Sequence, residues 1–204
     1  MSAKRVIAVF DFDGTLVKDD SFIVFARHAR GRFRLALAIL RTAPLLAAWK
    51  LGICSGSRAK EALFGVLFKG MSQQRFREFC ASLPALLTPH PDVVEQMQRH
   101  LSKGDTVYIV SASIEDWVRA WAECYGVGMV LGTRVDSDAC GHLTGKFAGA
   151  NCNGAEKCRR FLSAEPERSD YELVVYGDSA GDKQMFALAD KAVLCRDGFF
   201  TRNI

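Results

Sequence analysis

The chain has 204 residues, 49% of them hydrophobic and 25% charged, with a net charge of +4; this is the balance of a globular protein with room for one domain, or for a core with an insert, and it argues against a disordered or fibrous chain. Its seven cysteines are scattered, odd in number and without C-x-x-C spacing, which argues against a disulfide framework or a zinc site and for a reducing, cytoplasmic setting.

The first element is Val6–Phe10, a short apolar run dense in β-formers that reads as a buried strand. It is too short for a signal peptide and is followed at once by acids. Those acids lie in Asp11-Phe-Asp-Gly-Thr15, where two carboxylates emerge at the carboxyl end of the strand, the place at which open α/β sheets build ligand sites. Gly14 permits a sharp turn and a close backbone approach. Crowded carboxylates call for a compensating cation, and an all-oxygen donor set suits Mg²⁺. Taken alone, the same pentapeptide also reads as an Asp-rich turn.

From Lys18 to Leu87 the chain shows helix-like runs and few strand signals. Between Ser21 and Lys60 there are eight Lys or Arg residues and no Asp or Glu. Leu35–Leu40 and Ala43–Trp49 are apolar, but Arg41 and Lys50 interrupt them well short of the roughly 18 residues that a membrane span needs. Pro44 is expected to break or kink any helix through it. If Phe22–Arg41 is one continuous helix, Arg27, Arg30, Arg34 and Arg41 share a sector of about 60° at about 100° per residue. Phe25, Phe33, Leu37 and Leu40 occupy other sectors. Such a pattern suits an anionic membrane surface or a lipid substrate, and equally a solvated stripe whose apolar partners pack inside. Pro84, Pro89 and Pro91 mark a return hinge.

Thr106–Val110 is a second predicted strand, ending in Ser111-Ala-Ser113. Met129–Val135 and His142–Phe147 flank Asp136–Gly141 and read as a β-hairpin. Cys152 is either a small buried residue or a reactive thiol. Lys157 falls early in a predicted helix over Ala155–Leu162. Leu173–Tyr176 is a third strand, ending in Gly177-Asp-Ser-Ala-Gly-Asp182, and a helix near Lys183–Ala189 and a strand at Ala192–Cys195 follow. The alternation describes a parallel sheet covered by helices on both faces. Singly, each polar signal has an ordinary reading: Ser111 as a helix N-cap, Lys157 as a solvated lysine, Asp178 and Asp182 as turn and cap residues.

Together, Asp11 with Asp13, Ser111, Lys157, and Asp178 with Asp182 resemble the four motifs of the haloacid dehalogenase superfamily of phosphohydrolases. Val-Ser-Ala-Ser at 110–113, Gly154-Ala-Glu-Lys157 and Tyr-Gly-Asp-Ser at 176–179 are similar to its phosphoserine-phosphatase-like subfamily IB. The resemblance implies a Rossmann-like three-layer α/β sandwich, with a discontinuous core at 1–17 and 88–204 and a helical cap inserted at 18–87. It makes Asp11 the nucleophile that forms an aspartyl-phosphate, and Asp13 the acid and base, with its main-chain carbonyl on the metal. Ser111 and Lys157 then bind the phosphoryl group, and Asp178 completes the Mg²⁺ shell. Asp182 either ligates the ion directly or orients its water. A second aspartate implies ester chemistry rather than dehalogenation, because only an alcohol needs a proton as it leaves. Hydrolysis stands ahead of a mutase reaction.

Asp20 stands where phosphoserine phosphatases carry a glutamate that reads the substrate amine. Arg58 or Lys60 is the candidate for a substrate carboxylate or second phosphate. The basic, apolar cap resembles that of bacterial phosphatidylglycerophosphatase C. The implied protein is a cytoplasmic Mg²⁺-dependent phosphomonoesterase, in peripheral contact with the inner face of the membrane. Its substrate would be a phospholipid head-group phosphate such as phosphatidylglycerophosphate, or else a small phosphorylated metabolite such as phosphoserine. An alternative of another class is a catalytically silent binding module with the same fold. No nucleic-acid motif accompanies the basic stripe.

Overall fold

Register is what assembles the site. In the computed structural model, which describes residues 4–196 and 199–202, β1 (Arg5–Phe10) lies inside a six-stranded sheet. It pairs in parallel with β2 (Thr106–Ile114) on one side and β6 (Tyr171–Gly177) on the other. Phe10 stands opposite Ile109 and opposite Tyr176. Asp11, Ser111 and Asp178 are therefore delivered to one edge of the sheet within a residue or two of one another. The remaining strands are β3 (Met129–Thr133) beyond β2, then β7 (Lys191–Arg196) and β8 (Phe199–Arg202) beyond β6. The order is β3-β2-β1-β6-β7-β8, with β8 alone antiparallel.

The strands alternate, and each face has its own apolar cluster. Ala8, Phe10, Val107, Ile109, Val174 and Tyr176 pack under α4 (Pro91–Ser102) and α5 (Glu115–Glu123) through Val93, Met97, Trp117, Val118 and Trp121. Ile7, Val9, Tyr108, Val110, Leu173 and Val175 pack under α6 (Ala155–Ala164) and α7 (Lys183–Leu188) through Phe161 and Met185. This is the expected three-layer α/β sandwich around a parallel sheet. The residues at 1–3, 197–198 and 203–204 that the expected core includes lie outside the described ones.

Between β1 and β2 the chain forms α1 (Ser21–Lys50), α2 (Gly56–Phe68), α3 (Gln73–Ser82) and a 3₁₀ turn at Leu83–Leu86. Phe25 anchors this segment on the sandwich: its ring stacks on Trp117 at 4.6 Å and meets Phe68 and Phe76 at 5.3 and 5.2 Å. Truncating such a fully buried ring costs about 3–5 kcal/mol. The outgoing and returning chains run side by side, Lys18 N–H donating to Thr88 O (2.9 Å) and His90 N–H to Leu16 O (2.9 Å).

Three expectations are corrected. The helix over Phe22–Arg41 is not continuous: Gly31 adopts φ 80°, ψ 161° inside α1, a conformation only glycine takes readily, so a single angular series cannot join Arg27 and Arg30 to Arg34 and Arg41. Pro44, in contrast, stays within α1; it is exposed, so the carbonyl deprived of an N–H partner can turn to water. The predicted strand Met129–Val135 divides, because β3 joins the main sheet beside β2. The hairpin is instead β4 (Val135–Ser137) with β5 (Leu143–Phe147), closed by Asp138, whose side chain accepts from the N–H of Cys140 and His142 at 2.9 Å.

Candidate active site

Directly after β1 the chain turns back, with Asp11 N–H donating to Tyr176 O (2.9 Å) and Leu16 N–H to Phe12 O (2.8 Å). Phe12 is fully buried against Trp121 and pins the loop, so that Asp11 and Asp13 on either side of it can face the site. Gly14 has φ +76°, and a Cβ there would lie 2.3 Å from Asp178 Oδ2. The turn and the neighbouring carboxylate both require glycine.

Asp11 is buried, and Lys157 Nζ donates to its Oδ1 at 2.7 Å. Burial lifts the Asp11 pKa to about 7, against the pull of Lys157. The same Nζ donates to Asp182 Oδ1 at 2.6 Å. Burial works against the Lys157 charge, but the two carboxylates outweigh it and hold its pKa above the ordinary lysine value. Lys157 is 2% exposed, so it is not a solvated lysine. Asp182 caps as well, since its Oδ2 accepts from the N–H and the hydroxyl of Ser179.

Asp178 is half-buried and its Oδ1 has no hydrogen-bond partner. Burial and the Asp182 charge raise its pKa. Oxygens of Asp11, Asp178 and Asp182 all lie within 4.8 Å of one another. An orphaned buried carboxylate oxygen beside two more carboxylates is costly, and this donor set fits a hard, oxygen-liganded divalent cation. The Asp13 side chain is held apart from the cluster, Oδ1 accepting from Ser21 N–H at 3.0 Å and Oδ2 from the Ser113 hydroxyl.

Ser111 is buried near the end of β2, which continues to Ile114; α5 begins at Glu115 with no side-chain cap. Ser111 is therefore not a helix N-cap. Its Oγ accepts from Ser113 N–H at 3.1 Å. Asp20 is exposed and caps α1, accepting from Ile23 N–H at 3.1 Å. Arg58 is exposed on α2, with no ion pair among the described residues. Lys60, two residues on and so about 200° round the helix, reaches the site instead: its Nζ donates to Ala112 O at 3.0 Å, inside the Ser111–Ser113 segment. Burial lowers the Lys60 pKa, while Asp13, Asp20 and Asp11 support its charge. Cys152 is a buried small residue, its thiol pushed up to about 11 by burial. Sequence reasoning did not single out Ser21, Ser113 or Trp117; only the second serine of Ser111-Ala-Ser113 offered a signal.

Three of the four arginines of the expected stripe still meet across the Gly31 break. Arg30, Arg34 and Arg41 line a groove of about 340 Å³ with Lys69, Leu37 and Val66, and Arg27 lies outside it. Phe33 and Leu40, next in sequence to Arg34 and Arg41, are 82% and 70% exposed, and Leu51 and Ile53 beyond α1 are each 75% exposed. No helix among the described residues is long and apolar enough to cross a membrane.

Residues 8–187 match the haloacid dehalogenase-like hydrolase family. CicA of Caulobacter vibrioides is 33% identical over 197 residues, covering 94% of this chain and 86% of CicA. A Bordetella pertussis Tohama I protein of unknown function has the same fold at TM-score 0.79 and 23% identity, covering 95% of this chain and 91% of that one. The phospho-aspartyl intermediate analogue of phosphoserine phosphatase is similar at TM-score 0.63 and 20% identity, over 94% of this chain and 86% of that one. The family match runs from within β1 to within α7 and takes in every carboxylate of the cluster, and on it this chain belongs to the haloacid dehalogenase-like hydrolases.

Proposed function

We propose that the protein is a Mg²⁺-dependent phosphomonoesterase working through an aspartyl-phosphate on Asp11. The observation that carries this reading is the division of labour between two carboxylates. Asp11 is paired with Lys157 beside the orphaned Asp178 oxygen, whereas Asp13 is held apart by Ser21 and Ser113. Asp11, Asp178, Asp182 and the Asp13 carbonyl would hold the ion, which supplies positive charge to an anionic ester approached by an anionic nucleophile.

An Asp11 oxygen attacks phosphorus, the phosphorus–oxygen bond to the alcohol breaks, and Asp13 gives its proton to the departing oxygen. Water then yields a proton to Asp13 and attacks phosphorus, releasing phosphate and restoring the Asp11 carboxylate. Lys157 and the Ser111 hydroxyl stabilise charge on the phosphoryl oxygens. The test is hydrolysis of p-nitrophenyl phosphate with and without Mg²⁺. Asp11→Asn is expected to fold and to lose turnover. Wild-type activity in that variant would remove Asp11 from the nucleophile's role, and an inactive wild-type chain would favour a silent binding module.

The segment at 18–87 acts in this reading as a cap over a core at 1–17 and 88–204, with Lys60, Asp20 and Arg58 as candidates to read the substrate. The substrate class we favour is a phospholipid head-group phosphate, such as that of phosphatidylglycerophosphate, met at the cytoplasmic face of an anionic membrane. What supports it is the acid-free groove of Arg30, Arg34, Arg41 and Lys69, with exposed Phe33 and Leu40 next in sequence to two of those arginines, since cations among bare apolar side chains suit an anionic lipid surface. A phosphorylated metabolite such as phosphoserine is the second reading, supported by the fold shared with phosphoserine phosphatase.

A further inference from the structure

Both oxygens of Asp13 are occupied, and by different layers of the fold. Oδ1 accepts from the backbone of Ser21, the first residue of α1, and Oδ2 from the hydroxyl of Ser113 at the end of β2. Behind Ser113 the chain of contacts continues. The Ser21 hydroxyl donates to Ser113 Oγ at 3.1 Å, and Trp117 Nε1–H on α5 donates to Ser21 Oγ at 3.0 Å. Ser21 and Trp117 are wholly buried and Ser113 is 1% exposed, so water does not compete for these groups.

The direction of this chain is fixed by its ends. An indole N–H can only donate, so Ser21 must accept from Trp117 and pass its own proton to Ser113. Ser113 in turn must pass its proton to the carboxyl. Reversing either hydroxyl would leave a buried donor unpaired, at a cost of about 1–3 kcal/mol. The Asp13 χ2 torsion, ordinarily broad for a carboxyl, is thus held from both sides. The far end of the chain is itself rigid, because the Trp117 ring is stacked on Phe25 at 4.6 Å.

We infer that Trp117, Ser21 and Ser113 form a one-way hydrogen-bond relay that positions the Asp13 carboxyl for proton transfer to the leaving alcohol. This rests on the phosphomonoesterase reading above. Ser21 and Ser113 touch Asp13, and Trp117 acts through them, so all three are positioning residues. Because Ser21 opens the helical segment between β1 and β2, the relay also makes the aim of Asp13 depend on that segment being docked.

Leaving-group dependence separates this role from a merely structural one. Protonation matters most when the departing oxygen is basic, so misplacing Asp13 should slow phenyl phosphate far more than p-nitrophenyl phosphate, which sheds a stable phenolate. Trp117→Phe keeps the packing and deletes the donor, and Ser113→Ala deletes the middle hydroxyl. Each is expected to lower kcat/KM for phenyl phosphate, which reports phosphoryl transfer to Asp11 without the later hydrolysis step, by about 10-fold or more, part of the roughly 10²–10⁴-fold that a general acid contributes. The change in kcat/KM for p-nitrophenyl phosphate should stay within about 2-fold, because the attack of water on the aspartyl-phosphate, where Asp13 serves both esters alike, does not enter that ratio. Ser113→Thr, which restores a hydroxyl, should recover most of the phenyl phosphate rate. Should Trp117→Phe fail to fold, the Ser113 pair carries the test alone. Equal losses of kcat/KM on both esters, no loss on either, or failure of threonine to rescue would overturn the relay. A wild-type chain that hydrolyses neither ester would overturn the phosphomonoesterase reading and the relay with it.

Discussion

Asp11→Asn should make the metal-free protein more stable while destroying its chemistry. In the folded chain burial raises the Asp11 pKa from the ordinary 3.8 to about 7, even with Lys157 beside it. At roughly 1.4 kcal/mol per pH unit, that difference corresponds to about 4 kcal/mol between the protonated and ionised carboxyl. Because the folded pKa lies above the unfolded one, the protonated group favours folding. That contribution is fully present below about pH 4, is lost as pH rises from about 4 to about 7, and does not return above it.

Asparagine has nearly the shape of the neutral acid and never ionises. Lys157 keeps Asp182 as a partner at 2.6 Å, so the substitution does not strand a buried cation. With relaxation and water entry reducing the ceiling by half, the variant should gain about 2 kcal/mol at pH 8, or roughly 4–8 °C for a chain of this size. At pH 4 it should match the wild type. Urea unfolding in EDTA measures both differences. Trp117 and Trp121, 0% and 1% exposed, report the loss of the core by fluorescence. Mg²⁺ added at pH 8 should stabilise the wild type more than the variant. A variant less stable than wild type at pH 8, or a difference that ignores pH, would refute the argument that the site stores the cost of a buried carboxylate.

Two shorter expectations concern positions outside the reacting groups. Gly14→Ala should destabilise by about 1–3 kcal/mol and weaken Mg²⁺ dependence together, since its Cβ would press on Asp178 Oδ2; a normal Mg²⁺ titration and normal unfolding would show that the loop yields without cost. Replacing Arg34, Arg41 and Lys69 by Gln should cost about 3 kcal/mol of binding to anionic vesicles at about 1 kcal/mol per residue, read by co-sedimentation at two salt concentrations, and equal, negligible wild-type binding to anionic and neutral vesicles would end the membrane reading.

The fold was legible in the sequence because buried parallel strands announce themselves. Val6–Phe10, Thr106–Val110 and Leu173–Tyr176 are continuous apolar runs, each stopped by polar residues, and they became β1, β2 and β6. Their parallel register then brought Asp11, Ser111 and Asp178 to one edge. Strand ends are a one-dimensional signal, and so were readable. The Met129–Val135 run failed for the complementary reason. Its composition is that of one strand, but the chain changes sheets near Arg134, and local pattern does not record which neighbour a strand joins.

The helical segment was harder to read because its meaning depends on angles. A helical wheel over Phe22–Arg41 assumes an unbroken axis, and a single glycine at φ 80° voids the assumption. Isolated glycine inside a helical pattern is ambiguous, whereas Pro44 looked the stronger breaker and was not one. The break does not scatter the cations: three of the four arginines still meet in one groove, completed by Lys69 from the end of α2, a residue no wheel on α1 can include. The same limit hid the partners of Asp13. Ser21 and Trp117 are 96 positions apart, and nothing in the sequence near either marks the other. What unites them is the donor-only chemistry of the indole, which makes a buried Trp beside a serine a directional contact once the fold has brought the two together. In this protein the carboxylates proposed to react were therefore open to inspection at strand ends, while the groups that hold Asp13 are defined only by the docking of the helices between β1 and β2 on the sheet.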